Sequence, residues 1–334
     1  MLSPAQTSPL PAMVPGGRGS LSREGRAKVR ALMGPRPRAF LVQLTFAWAV
    51  IVGAIAAAES LGSLWATILA ILIVATRQNV LALLVHEQVH NLGITARWGD
   101  LFVNLTAGYP LVFLTVQDYA QIHLAHHQHF FEDTDPDFRR KSGEEWAMPT
   151  TSSRLARLFL QDLLGFNVVK LYKGKRVKKG QEIKYKRPMT IPKWVHPAFL
   201  LVAMAVFAAT GTLHIFLIYW LLPLLTIFQA IVRWGALCEH KYNLPQARLE
   251  EATPVITLRW WERLLLPNLN FHYHLYHHYY SNVAFGNLPT VHQLFRDEGL
   301  VREAHTYRGY SGFFRALTAP PAPGPVPAAA PQQA

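Results

Sequence analysis

Residues 194–232, WVHPAFLLVAMAVFAATGTLHIFLIYWLLPLLTIFQAIV, contain no Asp, Glu, Lys or Arg. Residues 39–76 contain no Lys or Arg and one acid, Glu59. As one continuous helix, either stretch would reach about 57 Å at 1.5 Å per residue, nearly twice the ~30 Å hydrocarbon core of a bilayer. Each therefore reads as two membrane spans joined by a tight turn, with breaks at Glu59-Ser60-Leu61-Gly62-Ser63 and Thr210-Gly211-Thr212. The expected spans are about 40–58, 63–85, 195–210 and 213–235. Buried helices of a soluble domain rarely stay apolar for this length.

Charge placement sets the expected orientation. All 33 Lys and Arg residues lie outside the two apolar stretches: seven before residue 39, two between 77 and 100, fifteen between 139 and 193, and nine from Arg233 onward. By the positive-inside rule, both termini and the central segment are cytoplasmic and the two short turns face outward. The formal net charge of +13 then needs no nucleic-acid partner. The basic run from Lys170 to Arg187 reads first as a topology signal on the membrane surface, and second as a dock for anionic headgroups or an acidic redox protein. Residues 1–38, rich in Pro, Gly, Ser and Arg and without the continuous apolar run of a signal peptide, read as a disordered cytoplasmic arm. The Pro/Ala-rich residues 317–334 read as a disordered tail, leaving residues 39–316 as the folded domain.

Eight of the fifteen histidines fall into three clusters: HEQVH (86–90), HLAHH (123–127) and HLYHH (274–278). Residues three and four apart on a helix share a face, so His86 with His90, His123 with His126 and His127, and His274 with His277 and His278 each present imidazoles from one side. Eight neutral nitrogen donors are twice what one tetrahedral zinc takes and about right for two metals with open positions.

Such a site needs its ligands on one side of the membrane, so the segments between clusters must cross an even number of times. The 194–232 hairpin crosses twice. Leu101 to Val116, sixteen mostly apolar residues interrupted by Asn104, Gly108 and Pro110, is short for a span and reads as an interfacial or re-entrant helix. The expected fold class is an all-α membrane protein: four transmembrane helices in two hairpins under a helical cytoplasmic cap that carries the histidine boxes. His240, in RWGALCEH just after the fourth span, falls at the level of the clusters and is taken as a ninth ligand.

Imidazole suits iron and, unlike thiolate, survives the strong oxidant that iron and O2 provide for attack on an unactivated alkyl chain. Glu87, Asp135, Asp137 and Glu239 beside the clusters are candidates for orienting imidazoles through their other ring N–H. With Cys238 as its single cysteine, the chain can form no internal disulfide and no four-thiolate iron–sulfur site, so electrons must come from another protein.

From about Asn79 to His292, the combination of HExxH, HxxHH and HxxHH, split by a two-span hairpin and joined by NLTAGYP, HLAHHQHFFEDTDPDF, Glu239-His240, NFHYHLYHHYYSN and NLPTVH, resembles the integral-membrane fatty acid desaturase/hydroxylase superfamily. The resemblance implies that His86, His90, His123, His126, His127, His274, His277 and His278 bind a di-iron centre, and it supports His240 as a further ligand. It also implies O2 as co-substrate, a lipid or other long apolar substrate, and a separate donor such as ferredoxin or a cytochrome b5-like protein. HEQVHNL and Asn270, four residues before the third box, resemble the sphingolipid desaturase branch, while DTDPDF resembles both acyl-lipid desaturases and carotenoid ketolases. Tyr279, Tyr280 and Ser281 replace the aromatic-Pro turn that usually follows the last box, and Tyr276 lies inside it.

The remaining histidines carry blander expectations. His129 and His272 are spaced off the ligand faces, His292 is expected to bond locally, and His196 and His214 fall at span ends. His305 belongs to no constellation. Desaturation is the preferred reaction, with hydroxylation or ketolation on the same scaffold as the alternative. An intramembrane zinc protease with Glu87 as general base leaves six clustered histidines unexplained. A metal transporter would require ionisable residues within the spans, which offer almost none.

Overall fold

The computed structural model describes residues 9–168 and 187–319. The basic run up to Lys186 and most of the Pro/Ala tail lie outside them. The described chain is mostly helical, and its β-structure is one short parallel pair. In chain order the helices are α1 (Arg23–Leu32), α2 (Pro37–Leu61), α3 (Leu64–Val89), α4 (Gly99–Val103), α5 (Val116–Gln128), α6 (Pro136–Lys141), α7 (Ser152–Leu163) and α8 (Val195–Ala209). They continue with the long, internally broken α9 (Leu213–Glu239), α10 (Leu249–Ala252), α11 (Trp260–Leu265), α12 (His274–Tyr279), α13 (Leu288–Asp297) and α14 (Gly309–Thr318). β1 (Ile256–Thr257) pairs in parallel with β2 (Tyr307–Arg308).

Among the described residues, three helices are long and apolar enough to cross a bilayer: α2, α3 and α9. Pro37 at the start of α2 gives up an N–H that has no helical partner there. Gly62 ends it in the left-handed conformation, φ 56°. Ser63 then caps α3 by accepting the Ala66 N–H at 3.1 Å, so the first hairpin turns within the segment where the sequence places its break. Phe40, Leu44, Ala47 and Ile51 form a buried stripe on α2 that shares a core with Val74, Leu81, Leu84 and Val85 of α3. Val42, Phe46 and Val52, on the other side of α2, are more than half exposed, as lipid-facing residues would be.

The second hairpin departs from expectation. α8 has 15 residues, about 22 Å of helix, and falls short of the bilayer thickness required of a span over 195–210. α9 is long enough but irregular: a π-turn occupies Phe216–Leu221, and Pro223 supplies no N–H to the ladder. Side-chain amides serve carbonyls at this break, Gln78 Nε2 donating to Trp220 O at 2.9 Å and Gln229 Nε2 to Leu224 O at 2.9 Å. Such replacement partners are what a broken helix needs where water is absent.

The apolar stretch between the first two boxes does not run straight through. Gly99–Leu111 and Val116–Gln128 meet at 90°. Asn104 joins the two arms, its Oδ1 accepting the Val116 N–H at 2.8 Å and its Nδ2 donating to Gln117 Oε1 at 2.8 Å. This bend returns α5 towards the end of α3, bringing the second box to the first.

The N-terminal segment requires a correction. From residue 9 onward it is folded: Met13, Val14, Leu21 and Val29 are fully buried against Tyr273, Leu275, Tyr276 and Val283, behind the third box. Ser22 caps α1 through the Gly25 N–H, and Arg18 donates to Tyr279 O at 3.0 Å. A composition typical of disorder conceals four apolar residues whose burial, each about 1.5–3 kcal/mol, ties the segment down.

Candidate metal centre

The histidine boxes lie at or near helix ends. His86 lies in the last turn of α3, and His90 terminates that helix. Arg187 clamps this end, donating to Asp100 Oδ2 at 2.7 Å and Oδ1 at 2.5 Å, and to the Gln88 and Val89 carbonyls at 3.1 and 3.0 Å. Thr115 caps α5, which carries His123, His126 and His127. His240 follows α9 in extended conformation, and His274, His277 and His278 lie on α12.

Nine Nε2 atoms converge in two groups. In the first, His86 and His277 are 3.0 Å apart, His90 and His123 2.9 Å, and His127 lies 3.0 Å from His123 and 3.1 Å from His277. In the second, His240 lies 3.2 Å from His126 and 3.1 Å from both His274 and His278, themselves 3.1 Å apart. The groups touch where the His127 and His278 rings stack at 4.1 Å. All nine histidines expected as ligands are thus brought together, His240 included.

A metal fits these groups better than hydrogen bonding does. An imidazole Nε2 offers one hydrogen or one lone pair, so it cannot bond to three neighbours at once. His240 Nε2 has three Nε2 neighbours within 3.2 Å. A cation between them uses every lone pair. Two nitrogens about 2.1 Å from one ion lie roughly 3.0 Å apart at a right angle and about 3.4 Å apart at the tetrahedral angle. The observed edges are short enough for one ion to be shared among the donors of each group. Burial first, then neighbouring imidazoles, hold His240, His274, His277 and His278 well below the usual histidine range, leaving them neutral donors.

The acids divide. Asp135 is fully buried and uses both oxygens: Oδ2 accepts His126 Nδ1–H at 2.7 Å and Phe131 N–H at 3.0 Å, while Oδ1 caps α6 through Asp137 N–H and Phe138 N–H. The orienting role expected for Glu87 and Asp137 is not what the structure gives. Glu87 Oε1 accepts the Phe285 N–H at 3.0 Å, and its Oε2 is buried without a hydrogen-bond partner. Asp137 bonds Arg140, Lys141 and Tyr242. Burial alone would raise its carboxyl, but Lys141 and Arg140 bring it well below the usual carboxylate range. Glu239 lines a small cavity against the imidazoles with Tyr119, Ile122 and Tyr242.

Two supporting residues were not singled out from the sequence. Thr253 Oγ1 lies 3.0 Å from His240 Nδ1, and the Tyr119 hydroxyl lies 3.4 Å from His86 Nδ1. Tyr119 is one helical turn before His123 and could have been found on that face; Thr253, in an irregular segment, has no such periodic signal. The other histidines stay out of the groups. His129 bonds Glu132, His272 bonds Asn268, His292 bonds Tyr276, and His305 donates to Ala12 O. His196 stacks on Tyr109, and His214 meets Glu59 between the two hairpin tips.

Apolar helices topped by paired all-imidazole clusters fit a membrane-bound, metal-binding protein. The family model described as fatty acid desaturase matches residues 63–311, and the chain belongs to that family. It is also similar to the dihydrorhizobitoxine desaturase of Bradyrhizobium elkanii, 25% identical over 260 residues that cover 74% of this chain and 73% of that protein.

Proposed function

We propose that the protein is an O2-dependent di-iron desaturase that places a double bond in the alkyl chain of a lipid, using electrons from a separate protein such as a ferredoxin or a cytochrome b5-like donor. The observation that carries this reading is the convergence of nine imidazoles into two chains of nearest Nε2 neighbours near 3 Å, in which His86, His90, His123 and His277, and separately His126, His240 and His278, bring their donor atoms within 4.8 Å of one another. His86, His90, His123, His127 and His277 would hold one iron, and His126, His240, His274 and His278 the other. An iron pair held there would supply the oxidising chemistry of O2: one O2, two electrons and two protons, with the two hydrogens lost from neighbouring carbons, account for one double bond and two waters.

The chain's own residues do the rest. Asp135 and Thr253 fix the rings of His126 and His240 through Nδ1, which presents Nε2 to the metal. Phe271 against His86 and Phe130 against His240 wall the rings with aromatic carbon and keep bulk water away. In the topology that accompanies this reading, α2, α3 and α9 cross an inner or plasma membrane and the shorter α8 completes the second hairpin where the bilayer thins locally to match it, with both termini and the metal centre cytoplasmic. Desaturation is preferred over hydroxylation or ketolation because the curated relative is itself a desaturase. A zinc protease built on His86, Glu87 and His90 would leave the other clustered imidazoles without a role.

The test is lipid profiling of a host expressing the protein beside the same host expressing His277→Ala. A new double bond present only with the intact protein is expected. A new hydroxyl or ketone would assign the alternative reaction, and zinc without iron in the purified protein would remove the oxygenase reading.

A further inference from the structure

The end of the helix bundle that carries the histidines is marked by exposed tryptophans, each directly preceded by an exposed base: Arg97-Trp98, Lys193-Trp194 and Arg259-Trp260. Trp98, Trp194 and Trp260 are 55%, 68% and 77% exposed. α11 widens the third pair into a ridge, with Trp261, Leu264 and Leu265 also exposed. Its one acid, Glu262, turns inward, accepting the Arg259 N–H at 2.8 Å and the Tyr310 N–H at 2.7 Å. The outward face of α11 and its N-cap residue Arg259 together present two Arg, two Trp, two Leu and no acid. That mixture of aromatic, aliphatic and cationic groups suits the boundary between acyl chains and anionic headgroups.

The level of this ridge agrees with the length of the spans. Trp65 at the start of α3 is 78% exposed and marks the opposite surface. A ~30 Å core takes about 20 helical residues, which carries α3 from Trp65 to Val85, immediately before His86. α11 lies near the corresponding turns of α9: Glu262 holds Tyr310 N–H, and the Tyr310 ring packs 5.7 Å from that of Trp234, which lies in the last turns of α9.

We propose that these base–tryptophan pairs form a girdle that seats the protein in the headgroup layer of an anionic bilayer, with α11 lying in the membrane plane. The girdle fixes the imidazole clusters at the depth where a lipid chain emerges from the hydrocarbon. This rests on the reading of the protein as a bilayer enzyme of lipid chains, and its tests are independent of turnover.

Full-length protein carrying a nitroxide at Leu264→Cys is reconstituted in vesicles of phosphatidylcholine with phosphatidylglycerol. The label should collide with dissolved O2 far more than with a water-soluble nickel chelate. Nickel access equal to that of a label at Gly143→Cys would overturn the placement. In parallel, spin-labelled phosphatidylglycerol should associate several-fold more than spin-labelled phosphatidylcholine, and the combined Arg97→Gln, Lys193→Gln and Arg259→Gln variant should lose that preference while keeping its iron. No preference in the unaltered protein, or the same preference in the variant, would remove the headgroup contact. Absence of iron from the unaltered protein, with depth and headgroup preference as expected, would instead count against the desaturase reading and leave the girdle standing.

Discussion

His126 and His127 are consecutive residues of α5, yet their Nε2 atoms enter different halves of the cluster: His126 lies 3.2 Å from His240, and His127 lies 3.0 Å from His123. Consecutive helical residues diverge by about 100°, so the adjacent pair faces two centres at once. His277 and His278 do the same on α12, meeting His86 and His240 respectively.

Separate His126→Ala and His127→Ala variants should therefore each lose turnover by more than the ~100-fold typical of losing an outer partner. Their residual iron should differ in its Mössbauer parameters, because a different site has been damaged. Identical spectra from the two variants would contradict the division into halves.

Asp135→Asn separates two roles of one side chain. Asparagine can still cap α6 but turns its NH2 towards Phe131 N–H and His126, so about 1–3 kcal/mol of stability should be lost with the Phe131 bond while iron affinity or activity falls about 10–100-fold. Asp135→Ala should additionally cost about 1 kcal/mol of stability from the lost cap. Metal analysis alongside thermal unfolding distinguishes these outcomes.

His129→Ala should retain activity within about twofold, since a partly exposed ion pair with Glu132 contributes at most about 1 kcal/mol. Turnover assays at equal iron content check this.

Burial holds His292 neutral, pushed down to about 4 from the ordinary 6.5. The unfolded chain takes up this proton first as pH falls, so stability due to this group is flat above pH 6.5 and declines between there and about 4. The slope is about 1.4 kcal/mol per pH unit. Thermal unfolding of His292→Gln should lack that component, and an unchanged pH profile would exclude it.

Leu21→Ala should destabilise the protein by about 2–5 kcal/mol if the N-terminal segment is held in the core behind α12. A loss below about 0.5 kcal/mol would mean that the segment is dispensable. Chemical or thermal unfolding at constant iron loading provides the measurement.

Much of this architecture was legible because it depends on patterns that survive in one dimension. Apolar run length exposed α2, α3 and α9, helical spacing exposed the ligand faces, and the Asp-Pro step in DTDPDF places a capping acid after the second box. Contacts between distant segments left no such trace. Val14 and Leu21 are apolar residues in a Pro/Gly-rich setting whose burial depends on a surface more than 250 residues away. Arg187 belongs to a charge run by composition, yet it grips Asp100 and the end of α3. Glu87 and Asp137 sit beside ligands in the chain, but Phe285 N–H and the Lys141 ammonium take their oxygens. Adjacency in sequence fixed where these acids lie but not which donor reaches them first.

The two HxxHH boxes have a further consequence for assembly. The second lends two rings to the first group and one to the other, and the third reverses that ratio. Neither pocket can form while its companion is unbuilt, because docking either helix installs walls of both. The two helices should accordingly dock together, so a change that displaces either one registers at both ions, whereas trimming a single ring leaves the other half standing.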